Sequence, residues 1–76
     1  MEQANFYKAT LNWVNLRDAQ LVEADFSLAT MKYIRMERAD LRKAKFLQAN
    51  LHRAKLSFAD LRHANLKEAM LTFADL

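Results

Sequence analysis

The stretch ADLRKAKFLQANLHRAKLSFADLRHANLKE, residues 39–68, decides the fold. Every fifth residue in it is large and apolar: Leu41, Phe46, Leu51, Leu56, Leu61 and Leu66. Two positions before each of these stands Ala. Worked outward, the same register runs back to Phe6 and on to Leu76 without a slip, and Met1 falls in the large apolar class as well. The small position departs from Ala only at Val14 and Ile34, both still apolar. All the charged residues occupy the other three positions of the five.

Neither regular element accommodates this rhythm. On a helix, five residues advance about 500°, so successive large residues would circle the axis and leave no polar side. On a flat strand an odd period would flip the large residue from one face to the other at each repeat. A short extended piece with two inward residues, followed by a bend that resets the register, satisfies both constraints and coils the chain into a solenoid. The three Phe at large positions, Phe6, Phe26 and Phe46, are spaced by 20, and so are Val14 and Ile34. Several opposite charges share that spacing: Arg17/Glu37, Asp18/Arg38, Glu23/Lys43, Asp25/Lys45 and Lys55/Asp75. Four pentapeptides per coil is the best reading, which gives about 3.75 coils in one domain over residues 1–76.

Composition narrows the function. The 76 residues include no Gly, no Pro and no Cys. Without Gly there is no phosphate-cradling loop and no dinucleotide fingerprint. Without Cys there is no disulfide frame, thiolate zinc site or cysteine nucleophile. No apolar run approaches the roughly 18 residues of a membrane span, and no signal peptide is visible, so neither a membrane nor a secreted setting is expected and a cytoplasmic one is.

Units such as ANFYK, ADFSL, ADLRK, ANLHR, ADLRH and ANLKE resemble the A(D/N)LXX motif of the pentapeptide-repeat family. The resemblance covers essentially the whole chain. It implies an all-β fold, a right-handed quadrilateral β-helix with Ala and Leu/Phe inward. It also implies corners made by ordinary β-turns, so that no special turn residue is needed. The position between Ala and Leu, commonly Asp or Asn in the family, is occupied by Thr10, Gln20, Thr30, Arg35, Lys45, Lys55 and Met70 in the units that depart from it. The best-known branch of the family binds bacterial DNA gyrase by resembling duplex DNA in shape and negative charge. This chain is expected to share the rod shape, but its net charge of +3 argues against DNA mimicry.

No catalytic, cofactor-binding or metal-ligating residue is assigned. His52 and His63 are expected to point into water on different sides, and neither has an orienting partner or a concave dry site. Asp40 and Asp60 are expected to cap backbone N–H groups at corners. The chain is therefore read as a non-enzymatic scaffold or protein-interaction module without cofactor or small-molecule substrate. Nine apolar residues are left facing outward. Three of them, Trp13, Tyr33 and Phe73, share one column with Arg53, and these four form the candidate interaction surface as an aromatic ladder with an interleaved cation. Residues 32–55 carry a net charge of +6. Their Arg35, Arg38, Arg42, Lys43, Lys45 and Lys55 form a candidate basic belt, the basis of an alternative reading as a nucleic-acid or anion binder. The repeat begins at once and stops on Leu76, so the expected partners are other proteins or further copies of the chain, stacked end to end or side by side. A longer parent protein or an engineered origin would also complete the ends.

Overall fold

A computed structural model describes residues 3–76; Met1, assigned to the core by register, lies outside them. The described residues contain no helix. They form single-residue parallel bridges that join positions 20 apart: Asn5 to Asp25, Thr10 to Thr30, Asn15 to Arg35, Gln20 to Asp40, and so on to Lys55 with Asp75. The bridges fall into four columns, so the chain has four sides. The first side holds residues 4–8, 24–28, 44–48 and 64–68. The second holds 9–13, 29–33, 49–53 and 69–73; the third 14–18, 34–38, 54–58 and 74–76; the fourth 19–23, 39–43 and 59–63. The described residues span 25 × 22 × 19 Å, a block rather than the rod anticipated above.

One five-residue unit explains the backbone. In the unit around Phe26, Asp25 N donates to Ala4 O (2.9 Å), Phe26 N to Lys45 O (2.7 Å) and Leu28 N to Leu47 O (2.9 Å), all between neighbouring coils. Ala29 N then donates to Phe26 O (3.0 Å) and closes a four-residue turn. The remaining N–H, on Ser27, is taken by the Asp25 carboxylate at 2.9 Å. The same bond recurs where Tyr7, Arg17, Arg42, His52, Arg62 and Lys67 each donate their backbone N–H to the side-chain oxygen of Asn5, Asn15, Asp40, Asn50, Asp60 and Asn65. It is the physical reason for Asp or Asn beside Ala: a short oxygen-bearing side chain reaches its own turn two residues on. Arg35, Lys45, Lys55 and Met70 have no such acceptor. At Thr30 the oxygen comes from one coil away, Asn12 Oδ1 accepting from Lys32 N at 2.9 Å.

The corners differ from expectation in one respect. The third residue of every turn has positive φ, between 56° and 69°, from Gln3 through Phe73. A positive φ at that place defines a type II turn, which favours Gly or Asn. None of these positions holds either. The chain turns without Gly by accepting a left-handed residue at each corner, and between coils ladder bonds such as Leu28 N to Leu47 O and Lys8 N to Ser27 O hold it there.

The interior matches the five-residue pattern. Phe26, Met31, Ile34, Met36, Leu41, Phe46 and Leu51 are fully buried, with Ala24, Ala29, Ala39, Ala44, Ala49 and Ala54 between them. Phe6, Phe26 and Phe46 stack in one column, their centroids 4.9 and 5.1 Å apart and nearly parallel. The outer coils are less covered, and Leu76 is 68% exposed although its register assigns it inward.

Candidate interaction surface

The edge between the second and third sides carries the aromatic column. Trp13 and Tyr33 stack at 4.2 Å with their planes 1° apart. This is the offset or parallel arrangement that one rung spacing of about 4.8 Å allows. The guanidinium of Arg53 lies 4.9 Å from the centre of the Phe73 ring, a cation–π contact. The interleaving is not the simple Tyr–Arg–Phe sandwich of the sequence reading. His52, from the neighbouring column, meets Tyr33 edge to face at 6.0 Å and Phe73 at 6.2 Å. The expectation that His52 merely points into water is therefore corrected: it is half-buried and links the two halves of the ladder. Its place one residue before Arg53, beside the gap in the column, was the available signal. Trp13 is 66% and Phe73 72% exposed, so the ladder presents apolar edges to solvent.

The six belt residues lie on three sides. Arg35, Arg38 and Lys55 are on the third, Arg42 and Lys43 on the fourth, and Lys45 on the first. Two of them are ion-paired. Arg38 grips Asp18 through Nε (2.8 Å) and a second nitrogen (3.1 Å). Arg42 does the same with Asp40, at 2.8 and 2.7 Å. Of the five opposite pairs expected at spacing 20, Asp18–Arg38 is the one that closes as an ion pair among the described residues. Arg17 turns instead to Asn15. Two pairs not anticipated, Asp40–Arg42 and Asp60–Arg62, form within single units.

Asp40 and Asp60 do cap their turns, and each also holds an arginine. Asp60 receives Arg62 Nε at 2.9 Å and a terminal nitrogen at 2.6 Å. These side-chain bonds, with the backbone N–H of Arg62, hold the Asp60 carboxyl at about 2, below its ordinary 3.8. The side-chain bonds of Arg38 and Arg42 likewise depress Asp18 and Asp40, and the Ser27 N–H depresses Asp25. A depressed carboxyl stabilises the fold above its unfolded value and loses that contribution as pH falls through the folded value. For Asp60 the window runs from 3.8 down to about 2. An Arg62→Ala substitution is expected to move the Asp60 midpoint up toward 3.8, read by carboxyl-carbon NMR titration; an unmoved midpoint would show that the turn N–H alone holds it.

His63 lines a shallow open groove on the fourth side with Val22, Glu23, Arg42, Lys43 and Arg62. No group of three or more His, Cys, Asp or Glu converges among the described residues. Nothing there combines a base, an orienting partner and a dry reacting position.

Four bridge columns, an Ala-and-Leu/Phe interior and a left-handed residue at each corner define a repeat solenoid. The chain belongs to the pentapeptide-repeat family: the family model for pentapeptide repeats matches residues 19–57 and 49–76, with 8 copies. Among solved structures, the chain is similar to the pentapeptide repeat protein Rfr23 from the cyanobacterium Cyanothece 51142, at 23% identity and a TM-score of 0.48, over 93% of this chain and 58% of that one. It is also similar to HetL, a pentapeptide repeat protein involved in heterocyst differentiation regulation from the cyanobacterium Nostoc sp. strain PCC 7120. That match has 23% identity and a TM-score of 0.49, over 91% of this chain and 47% of that one. The chain thus spans about half the length of these two proteins. No curated protein sequence matches it.

Proposed function

We propose that the chain is a non-catalytic scaffold of the pentapeptide-repeat type, a right-handed quadrilateral β-helix of about 3.75 coils, and that it works by binding protein at the edge formed by Trp13, Tyr33, Arg53 and Phe73. The observation that carries this reading is the ladder itself: Trp13 stacked on Tyr33 and Arg53 over Phe73, with Trp13 and Phe73 largely exposed. Its rings are held at fixed spacing by the coils beneath them, so the surface is pre-organised and little entropy is lost when a partner lands on it. Aromatic and Arg side chains are also the types enriched at the energetic centres of interfaces.

Selection of binders from a displayed peptide library tests it. Binders are expected to lose affinity on a Trp13→Ser/Tyr33→Ser variant and to keep it on Phe58→Ser, which removes a 90% exposed ring from another corner. Binders that map to the His63 groove, or that ignore both substitutions, would count against the ladder.

Association of copies, end to end or side by side, belongs to the same proposal. Parallel pairing between coils is an edge chemistry that a further strand can continue. Sedimentation velocity over a wide concentration range is the check, and a species that stays at 8.9 kDa throughout would refute it.

A further inference from the structure

Four exposed cations gather around the ladder, where the paired arginines do not reach. Arg38 and Arg42 are paired to carboxylates. Lys32, Arg35, Arg53 and Lys55 are exposed and make no ion pair among the described residues. All four belong to the ladder edge. Lys32 precedes Tyr33, Arg53 is itself a rung, and Arg35 and Lys55 follow Tyr33 and Arg53 by two residues, in the first bridge column of the third side. Arg35 and Lys55 are bridged directly to one another. Like charges placed opposite each other on neighbouring strands destabilise a sheet. The fold carries that repulsion beside the aromatic ladder. Glu37, two residues after Arg35, and Asp75, which is bridged to Lys55 on its other side, form no ion pair with any of the four.

We infer that the ladder edge is a docking site for an acidic protein segment that carries apolar side chains. The inference rests on the protein-binding reading above and adds the chemistry of the partner. The apolar side chains would lie on the ring edges of Trp13, Tyr33 and Phe73, and the carboxylates would meet Lys32, Arg35, Arg53 and Lys55. Such pairing relieves the Arg35–Lys55 repulsion and supplies both steering and register.

Two other occupants fit less well. A single-stranded nucleic acid would match the charge, but its bases need free ring faces on which to stack. Here Trp13 and Tyr33 spend faces on each other, Tyr33 also meets His52, and Phe73 has Arg53 over it. A second copy joined through this edge about a two-fold axis would bring the same cations toward their own copies.

Trp13 is the only tryptophan of the chain, so its fluorescence reports this edge directly. The probes are a synthetic peptide of about twelve residues with alternating Glu and Leu or Phe, its Gln-for-Glu and Lys-for-Glu analogues, and an oligothymidine of similar length. The acidic peptide is expected to change Trp13 emission saturably, and less tightly as salt is raised. An Arg35→Gln/Lys55→Gln variant is expected to bind roughly tenfold more weakly or worse while melting no lower than the parent. Lys43→Gln/Lys45→Gln, the same change in net charge away from the ladder, is expected to bind like the parent.

Equal loss in both variants would overturn the inference, since net charge alone would then account for binding. Equal binding of the Gln analogue would overturn it too, leaving the ladder as a docking surface without the charge preference. Tighter binding of the oligothymidine, a dimer that excludes the peptide, or no binding of the peptide would each overturn it. Failure of the protein-binding reading itself would appear separately, as displayed binders that ignore Trp13→Ser/Tyr33→Ser.

Discussion

A Phe26→Ala substitution is expected to cost about 3–5 kcal/mol of folding stability. Phe26 is fully buried, and its ring lies between those of Phe6 and Phe46 at 4.9 and 5.1 Å. Truncation removes a stacked partner from both neighbours and opens a cavity in the middle of the column. The walls cannot close on it, because the coil spacing is fixed by hydrogen bonds on either side of the residue, Asp25 N to Ala4 O and Phe26 N to Lys45 O. Small domains hold only about 5–15 kcal/mol in all. The variant should therefore unfold at a much lower urea concentration with an unchanged slope, the sign that stability and not the extent of unfolding has altered. Phe26→Leu, which places the residue found at most other large positions, is expected to recover much of the loss. A loss below about 1 kcal/mol for the alanine variant would mean that the column does not hold the coils together.

The second large effect runs the other way. Lys8, Glu23 and Phe58 each occupy the left-handed third place of a turn, with φ of 60°, 63° and 63°. A residue with a Cβ adopts that conformation at a cost on the order of 1–2 kcal/mol. Glycine removes the clash but makes the unfolded chain more flexible, by about 0.4–1 kcal/mol. The balance favours glycine by about 0.5–1 kcal/mol at each corner. The three lie at three different corners, so Lys8→Gly/Glu23→Gly/Phe58→Gly together should gain about 1.5–3 kcal/mol, seen as a higher melting temperature. Alanine at the same positions keeps the clash and should gain nothing. A triple variant that melts below the parent would show that these side chains contribute contacts worth more than the backbone strain.

Much of this architecture was legible in the residues, and the misses have identifiable causes. The column of Phe6, Phe26 and Phe46 could be read because an inward position admits few residue types, so a rare one marks its neighbours. Trp13 over Tyr33 was legible for the same reason of shared register. The place of His52 was not, because reading along one column ignores the side chain beside it, and an imidazole reaches across. The ion pairs were half legible. Asp18 and Arg38 sit at turn positions where the partner lies one coil away, whereas Asp40 and Asp60 are already drawn to their own turn N–H, which places Arg42 and Arg62 nearer than any residue 20 away. The left-handed corners left no trace in the sequence, since the usual signal for them is a glycine and this chain has none.

The register of 20 also sets the unit in which the surface can be inherited. Loss or gain of five residues anywhere in the chain would keep Ala and Leu/Phe inward and every turn intact, yet it would deal all later outward residues to the next side. Placed between Tyr33 and Phe73, such a change would take Phe73 off the edge that holds Trp13 and Tyr33. A change of 20 residues would instead lengthen or shorten that edge and preserve it. The core thus tolerates duplication in steps of five, while any binding surface built along it survives only steps of 20.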